Sequence, residues 1–125
     1  MGLLDNLMGN ASEVEPAQVQ GELSELLLPD ESVHRAYAVF RDLFVFTSRR
    51  LLLVDRQGMT GKKTQYLSVA YRAITHFSVE TAGSFDADAE LVIHVSGGAE
   101  PIRKDFGKKS NILDIQRVLA HYVLT

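Results

Sequence analysis

The sequence predicts a mainly β fold, a sandwich or small barrel of short antiparallel strands closed by a C-terminal helix. Three observations lead to this prediction. Residues 43–66 hold two strongly apolar runs and the start of a third, separated by a short break and a glycine-containing basic loop. Four more segments with strand-like patterns lie on either side, with turn residues between them. The last fifteen or so residues carry an apolar stripe at helical spacing.

The N-terminal part is predicted to be helical. Residues 3–8 have the apolar pattern of one or two helical turns, which either pack on their own domain or contact a neighbouring subunit. A capping-box pattern at residues 12–15, followed by Pro16, predicts a second helix that ends at residues 29–30. Gly21 should weaken this helix by about 1 kcal/mol relative to alanine. Its apolar face consists of Val19, Leu23, Leu26 and Leu27.

The middle of the chain is expected to form seven strands. They run over residues 33–40, 43–47, 51–55, 64–70, 74–81, 89–96 and 102–106. Residues 41–42 form a tight link between the first two strands. Residues 56–63 form a long hairpin loop, and Gly97-Gly98 form a turn. Closely spaced short strands of this kind are typical of β-sandwiches and small barrels.

A helix follows the strands. Ser110 is its expected N-cap, and Asp114 lies in the first turn, where a negative charge is favourable. The apolar stripe consists of Ile112, Ile115, Val118, Leu119 and Tyr122. Because a helix this short is not stable alone, we expect it to cover an apolar surface, the open end of the barrel. The whole chain, 1–125, is then one domain with a helical segment (1–28), a barrel (32–107) and a capping helix (110–124).

Composition narrows the function classes. The chain has 125 residues, no cysteine and a net charge of −3. Disulfides, thiolate metal sites and a cysteine nucleophile are therefore excluded, and nothing favours nucleic-acid binding. No apolar run is long enough to span a bilayer, and the N-terminus lacks the pattern of a signal peptide. We therefore expect a cytoplasmic protein.

Two loops have sequence patterns that partly resemble binding sites, one for nucleotide phosphates and one for metal ions. The stretch 58–64, GMTGKKT, has two residues between its glycines and a second lysine before the threonine, so it does not match the nucleotide P-loop. An exposed hairpin tip is the expected structure. Asp86, Asp88 and Glu90 alternate along the chain and would bind a hard cation only weakly. The glycine of a calcium loop is missing, and we expect no metal site.

No catalytic pattern is present. The histidines are not paired at metal-ligand spacing, and no nucleophile motif occurs. They are His34, His76, His94 and His121. We therefore predict that the protein is not an enzyme and has no cofactor, although a site assembled from distant residues would leave no local pattern.

Several segments together resemble a known family, the bacterial pleckstrin-homology-like domains, formerly a family of unknown function. The resemblance lies in RDLFVFTSRRLLLVD, QGMTGKK, ITHFSVETAGSFDADAEL, FGKKSNILDIQRVLA and the opening GLLDNLMGNASEVE. It implies a strongly bent, seven-stranded antiparallel barrel capped by a C-terminal α-helix, with short N-terminal helices. It also implies a cyclic homo-oligomer, with a pentamer as the expected ring. A polar surface where strands of adjacent subunits meet is then the suspected partner site.

The leading hypothesis is a non-catalytic interaction or scaffold module that forms a ring and presents a repeated surface to an unidentified protein partner. The residues expected on this surface are Asp55, Gln57, Lys62, Lys63, Glu80, Asp86 and Asp88. One alternative is an anionic-lipid-binding module that uses Lys62, Lys63, Lys108 and Lys109. The first strand-to-strand loop is only Arg41-Asp42, so no phosphoinositide motif carries over. A second alternative is a small-ligand carrier or enzyme with a site at subunit junctions.

Overall fold

The fold is seen in a computed structural model, which describes residues 12–39, 42–57, 63–81, 89–98, 100–106 and 112–124. In these residues two antiparallel sheets are present. The first has the order β1-β2-β3-β4-β5 and consists of β1 (Ser12–Glu13), β2 (Val33–Val39), β3 (Asp42–Thr47), β4 (Arg50–Gln57) and β5 (Lys63–Ala70). The second has the order β6-β7-β8 and consists of β6 (Ile74–Thr81), β7 (Ala89–Val95) and β8 (Ile102–Phe106).

Helices and a short turn complete the described fold. Helix α1 spans Pro16–Glu22, and helix α2 spans Ile112–Val123. A single 3-10 turn, Tyr71–Ala73, leads from the first sheet into the second. The mainly β fold, with strands β2 to β8 and the C-terminal helix, is therefore confirmed. Asp42, which was placed in a link, instead begins β3.

The segment before β2 differs from its prediction at both ends. The residues of the predicted capping box include β1, which pairs with β2 so that Glu13 lies opposite Tyr37. The first helix ends at Glu22 instead of continuing to residue 28. After the helix, two side chains form hydrogen bonds with backbone groups. Arg50 donates to the Leu26 carbonyl (3.0 Å), and Glu31 accepts from the Leu28 amide (3.1 Å). These bonds compete with further helical hydrogen bonds.

The main core lies between the two sheets and under helix α2. It contains the alternate inward side chains of both sheets and the apolar stripe of the helix. Its buried members include Phe44, Phe46, Leu51, Leu53, Leu91, Ile93, Phe106, Ile115 and Leu119. Burial of this apolar surface is the main stabilising contribution, at about 25 cal/mol per Å² removed from water.

A second, smaller core lies on the opposite face of the first sheet, under helix α1. Val19 and Leu23 of the helix segment pack with Ala36 and Ala38 of β2 and with residues of the next two strands. This explains why β2 is buried on both faces from residue 36 onwards, although its sequence alternates like a half-exposed strand. Two small alanine side chains leave room for the helix to approach the sheet.

Candidate functional site

The predicted partner surface is described at four of its seven positions. Gln57 ends β4 and lies opposite Lys63, the exposed first residue of β5. Asp55 is partly buried, and its Oδ2 accepts a hydrogen bond from the Lys104 ammonium of β8 (3.1 Å). Glu80 is exposed on β6 of the other sheet, opposite Glu90. The structure thus brings Gln57 and Lys63 together and makes Asp55 a link between the two sheets.

The remaining predicted residues lie outside the part of the chain that the structure describes. They are Lys62, Asp86, Asp88, Lys108 and Lys109. Among the described residues, no group of three or more histidine, cysteine, aspartate or glutamate side chains is arranged to hold a metal ion. No helix in this part of the chain is long and apolar enough to cross a membrane.

Strand β5 is an edge of the first sheet and has few charges. One side of it pairs with β4 over all eight residues. Most of its side chains are exposed or half-buried, and Tyr66 is 48% exposed. Leu26 and Leu28 are also exposed, and Arg50 connects their segment to this strand by donating to the Leu26 carbonyl and to Ser68 Oγ (2.8 Å).

A buried ion pair holds that segment in place. The Glu31 carboxylate accepts from Arg50 through both of its oxygens (2.8 Å each) and from the Thr47 hydroxyl (2.5 Å). Glu31 has no exposed side-chain surface, and the bonded Arg50 guanidinium is the main cause that lowers its pKa to about 2. Because each polar side-chain atom of this cluster has a hydrogen-bond partner, we assign the cluster a structural role.

A polar network joins the start of β2 to helix α2. The guanidinium of Arg35 donates from Nε to Glu13 (2.5 Å) and from Nη2 to Asp114 (2.7 Å) and to the Tyr37 hydroxyl (2.6 Å). That hydroxyl in turn donates to Asp114 (2.5 Å). Burial and the hydrogen bond to Asp114 raise the pKa of Tyr37. Asp114 was expected only to favour the helix N-terminus, and it also anchors the helix to the sheet.

Next to this network lies an open groove of about 460 Å³ between β2 and α2. Its walls carry basic, imidazole and aromatic groups. The lining residues are His34, Arg35, Asp114, Arg117, Val118, His121 and Tyr122. A second depression, of about 230 Å³, lies between β3 and β8 and is lined in part by Asp42, Arg103 and Lys104.

Tyr122 forms the floor of the first groove and is held on several sides. Its ring stacks on Tyr71, with 4.5 Å between ring centroids, and its hydroxyl is hydrogen-bonded to His34 Nδ1. Tyr71 donates its own hydroxyl to the Thr47 carbonyl (2.7 Å). Burial raises the pKa of both tyrosines. Neutral tyrosines therefore form a fixed aromatic base beneath the charged groups.

Two histidines that the sequence left unpaired meet across strands. His76 and His94 are register partners on β6 and β7, and their rings stack with 4.0 Å between centroids. The His76 Nδ1 atom is hydrogen-bonded to the Thr75 hydroxyl (2.9 Å), which also donates to the His94 carbonyl (3.2 Å). Protein zinc sites use three or four ligands, so two imidazoles alone do not make one.

The groove residues were not found from the sequence. Arg35 and Asp114 are 79 positions apart, so no local spacing links them. The available signal was the hydrophilic pair His34 and Arg35 in an otherwise apolar strand, together with Asp114 and Arg117 on one side of the last helix.

Comparisons with known proteins agree with this architecture. The family described as bacterial PH domain matches residues 2–123. The Bacillus subtilis (strain 168) protein YjqA, described as uncharacterized, is 54% identical over 121 residues, which cover 96% of this chain and 97% of YjqA.

Two solved structures are also similar. A pleckstrin homology domain from Shewanella amazonensis SB2B has a TM-score of 0.85 at 52% identity, covering 99% of this chain and 100% of that one. A DUF1696 family protein with a pleckstrin-homology domain from Shewanella loihica PV-4 has a TM-score of 0.79 at 48% identity, covering 92% and 98%. With its two antiparallel sheets and C-terminal helix, the chain belongs to the bacterial PH domain family.

Proposed function

We propose that the protein is a non-catalytic interaction module. It assembles into a cyclic homo-oligomer through its sheet edges and presents a repeated polar surface to a protein partner. The observation that supports this best is strand β5, an eight-residue edge strand with one charged residue, Lys63, at its start and no proline. Edge strands that stay monomeric are usually short, charged or interrupted.

Apolar side chains beside this edge strengthen the case. Tyr66 on β5 and the nearby Leu26 and Leu28 are exposed, and aromatic side chains commonly anchor protein interfaces. In water, contact with another chain is favoured by these side chains and by the outward backbone groups of the edge, which pair with no strand in the described part of the chain. A second copy of this protein supplies sheet edges of the same kind.

We propose a head-to-tail ring, because the two sheets carry more than one kind of edge. The second sheet has edges of its own, β6 and β8, which differ from β5 in sequence. When β5 contacts a different edge of the next subunit, the contact is head-to-tail, and such contacts close into rings when the rotation permits. A pentamer is the ring we propose.

The polar surface of the ring would comprise the seven residues named from the sequence. Gln57 and Lys63 lie at one end of the β4–β5 hairpin, directly beside the edge that forms the contact. Repetition around a ring places the same weak contacts side by side, so that a multivalent partner binds much more tightly than one subunit alone would allow.

The assembly is tested by native mass spectrometry and light scattering at micromolar concentration. We expect one closed species larger than a dimer. The Tyr66→Lys variant, which adds a charge to the edge, should shift it to monomer. Leu113→Lys is the matched control, because Leu113 is exposed to a similar extent (45%) but lies on helix α2. A monomeric wild-type protein, or equal effects of the two variants, would contradict the proposal.

A further inference from the structure

The groove between β2 and α2 is rich in hydrogen-bond donors. The chain has a net charge of −3, whereas the groove is lined by two arginines, two histidines and one aspartate. Asp114, the one acidic residue among the described lining residues, already accepts hydrogen bonds from Arg35 and Tyr37. Because Glu13 and Asp114 balance the charge of Arg35, the groove presents mainly hydrogen-bond donors to solvent, and its unpaired positive charge lies on Arg117.

Arg35 is held ready for a ligand. Its Nε and Nη2 atoms are fixed by Glu13, Tyr37 and Asp114, while Nη1 bonds to no residue in the described part of the chain. Its side chain is about one-third exposed. Since three partners already hold the guanidinium, a ligand would lose little side-chain entropy by binding to its free corner.

Arg117 supplies a second guanidinium on the opposite wall. It is exposed on helix α2, three residues after Asp114 and four before His121, so all three lie on one face of the helix. No hydrogen bond or ion pair joins Arg117 to any residue within the described ranges. Its charge is thus available to a partner.

The histidines add two more groups. The Nδ1 atom of His34 is occupied by the Tyr122 hydroxyl. When Tyr122 donates in this bond, the proton of the neutral imidazole lies on Nε2, the remaining ring nitrogen, which then acts as a donor. His121 stands edge-on to the Tyr122 ring, with 5.0 Å between centroids.

We propose that this groove binds an acidic segment of a protein partner, whose carboxylates pair with Arg35 and Arg117. The Arg117 guanidinium can bind a carboxylate in a planar, two-bond geometry that lysine cannot reproduce, and Arg35 can add a hydrogen bond from Nη1. A volume of about 460 Å³ is within the range of known ligand sites. The open side of the groove, between a strand and a helix, allows a chain to enter and leave.

This inference adds a second partner site to the proposed interaction role, on residues other than the polar surface named above, and it is separate from the sheet edge that we assign to assembly. Complementary charge chiefly sets specificity and the rate of association, so we expect binding to weaken as salt increases. The partner segment should therefore be identified by its glutamate and aspartate content.

The probe is a fluorescein-labelled decapeptide of alternating glutamate and serine, titrated with the full chain and followed by fluorescence anisotropy. A second peptide carries glutamine in place of glutamate. We expect saturable binding of the glutamate peptide only, and about five- to tenfold weaker binding by Arg117→Gln. The control variant is Arg103→Gln, which removes the same charge from an exposed arginine of β8.

Several outcomes would overturn the inference: no saturable binding by the wild-type protein, equal binding of the two peptides, or equal losses in the two arginine variants. The melting temperature of Arg117→Gln should equal that of the wild type, which would show that weaker binding comes from the lost contact and not from unfolding. Titration of the glutamate peptide with the Tyr66→Lys variant distinguishes peptide binding in the groove from assembly through strand β5. If the groove acts alone, this variant binds the peptide with unchanged affinity per subunit, whether or not the wild-type protein forms a ring.

Discussion

The Tyr37 hydroxyl donates a 2.5 Å hydrogen bond to the Asp114 carboxylate and so joins two residues that are 77 positions apart. Tyr37 is fully buried in β2, and Asp114 lies in the first turn of helix α2. The carboxylate therefore has two roles. It is placed favourably at the positive end of the helix dipole, and it fixes the helix to the first sheet.

Replacing Tyr37 by phenylalanine should destabilise the protein. The ring keeps its packing, but Asp114 loses one donor, and a hydrogen bond to a charged group contributes about 1.5–3 kcal/mol. Because Asp114 is partly exposed and keeps Arg35, we expect a loss at the low end of this range, about 1.5 kcal/mol, in the free energy of unfolding. Urea titration followed by circular dichroism measures it.

Tyr66→Phe is the matched control for this change. Tyr66 is exposed on β5, so removal of its hydroxyl should alter the free energy of unfolding by less than about 0.5 kcal/mol. If Tyr37→Phe changed the free energy of unfolding as little as the control does, the hydrogen bond between β2 and α2 would not contribute measurably to stability.

Much of the fold was predictable because strand signals are local. In β3 and β4, continuous apolar runs such as Leu51 to Val54 pack on one core or the other, so the run itself marks a strand with both faces covered. The last helix was predictable for the same reason. Its stripe at helical spacing is the set of residues that packs against the core.

The parts that were missed depend on contacts between distant residues. After the first helix ends at Glu22, Arg50 holds the next residues by donating to the Leu26 carbonyl from 24 positions away, and local spacing does not predict this contact. The groove has the same origin, because β2 and α2 are brought together only by the fold. Side chains such as Arg117 look like ordinary exposed residues in the sequence.

The buried Glu31 should make stability depend on pH. Its folded-state pKa of about 2 lies below the ordinary value of 4.5, so its contribution is complete above about pH 4.5 and is lost as the pH falls towards 2. This difference corresponds to about 3 kcal/mol. We therefore expect Glu31→Gln to unfold more easily by roughly that amount at pH 7, and the gap from the wild type to close in acid.

The control for this experiment is Asp30→Asn. Asp30 pairs with Arg49, but both side chains are more than half exposed, and exposed pairs contribute about 0–1 kcal/mol. Urea titrations of the three proteins from pH 7 down to pH 2.5 test the expectation. A gap between Glu31→Gln and the wild type that stays constant over this range would contradict the assigned pKa.

Helix α2 should depend on Leu119 for its docking. Leu119 is completely buried in the main core, and truncating such a leucine to alanine costs about 2–5 kcal/mol. Leu113→Ala is the control on the same helix, where the side chain is 45% exposed. We expect a loss below about 1 kcal/mol there. Similar melting temperatures for the two variants would show that the helix does not cover the core as described.

Two glycines should respond in opposite ways to the same substitution. Gly97, in the turn after β7, has a φ of +78°, which a side chain resists by about 1–2 kcal/mol. Gly21 lies in helix α1, and an added Cβ meets no atom within 4 Å. Gly97→Ala should therefore lower the melting temperature, whereas Gly21→Ala should raise it, because alanine favours the helix by up to about 1 kcal/mol. Differential scanning calorimetry at one pH and protein concentration compares the two. A stabilised Gly97→Ala variant would exclude the left-handed turn, and a destabilised Gly21→Ala variant would exclude open space beside the helix.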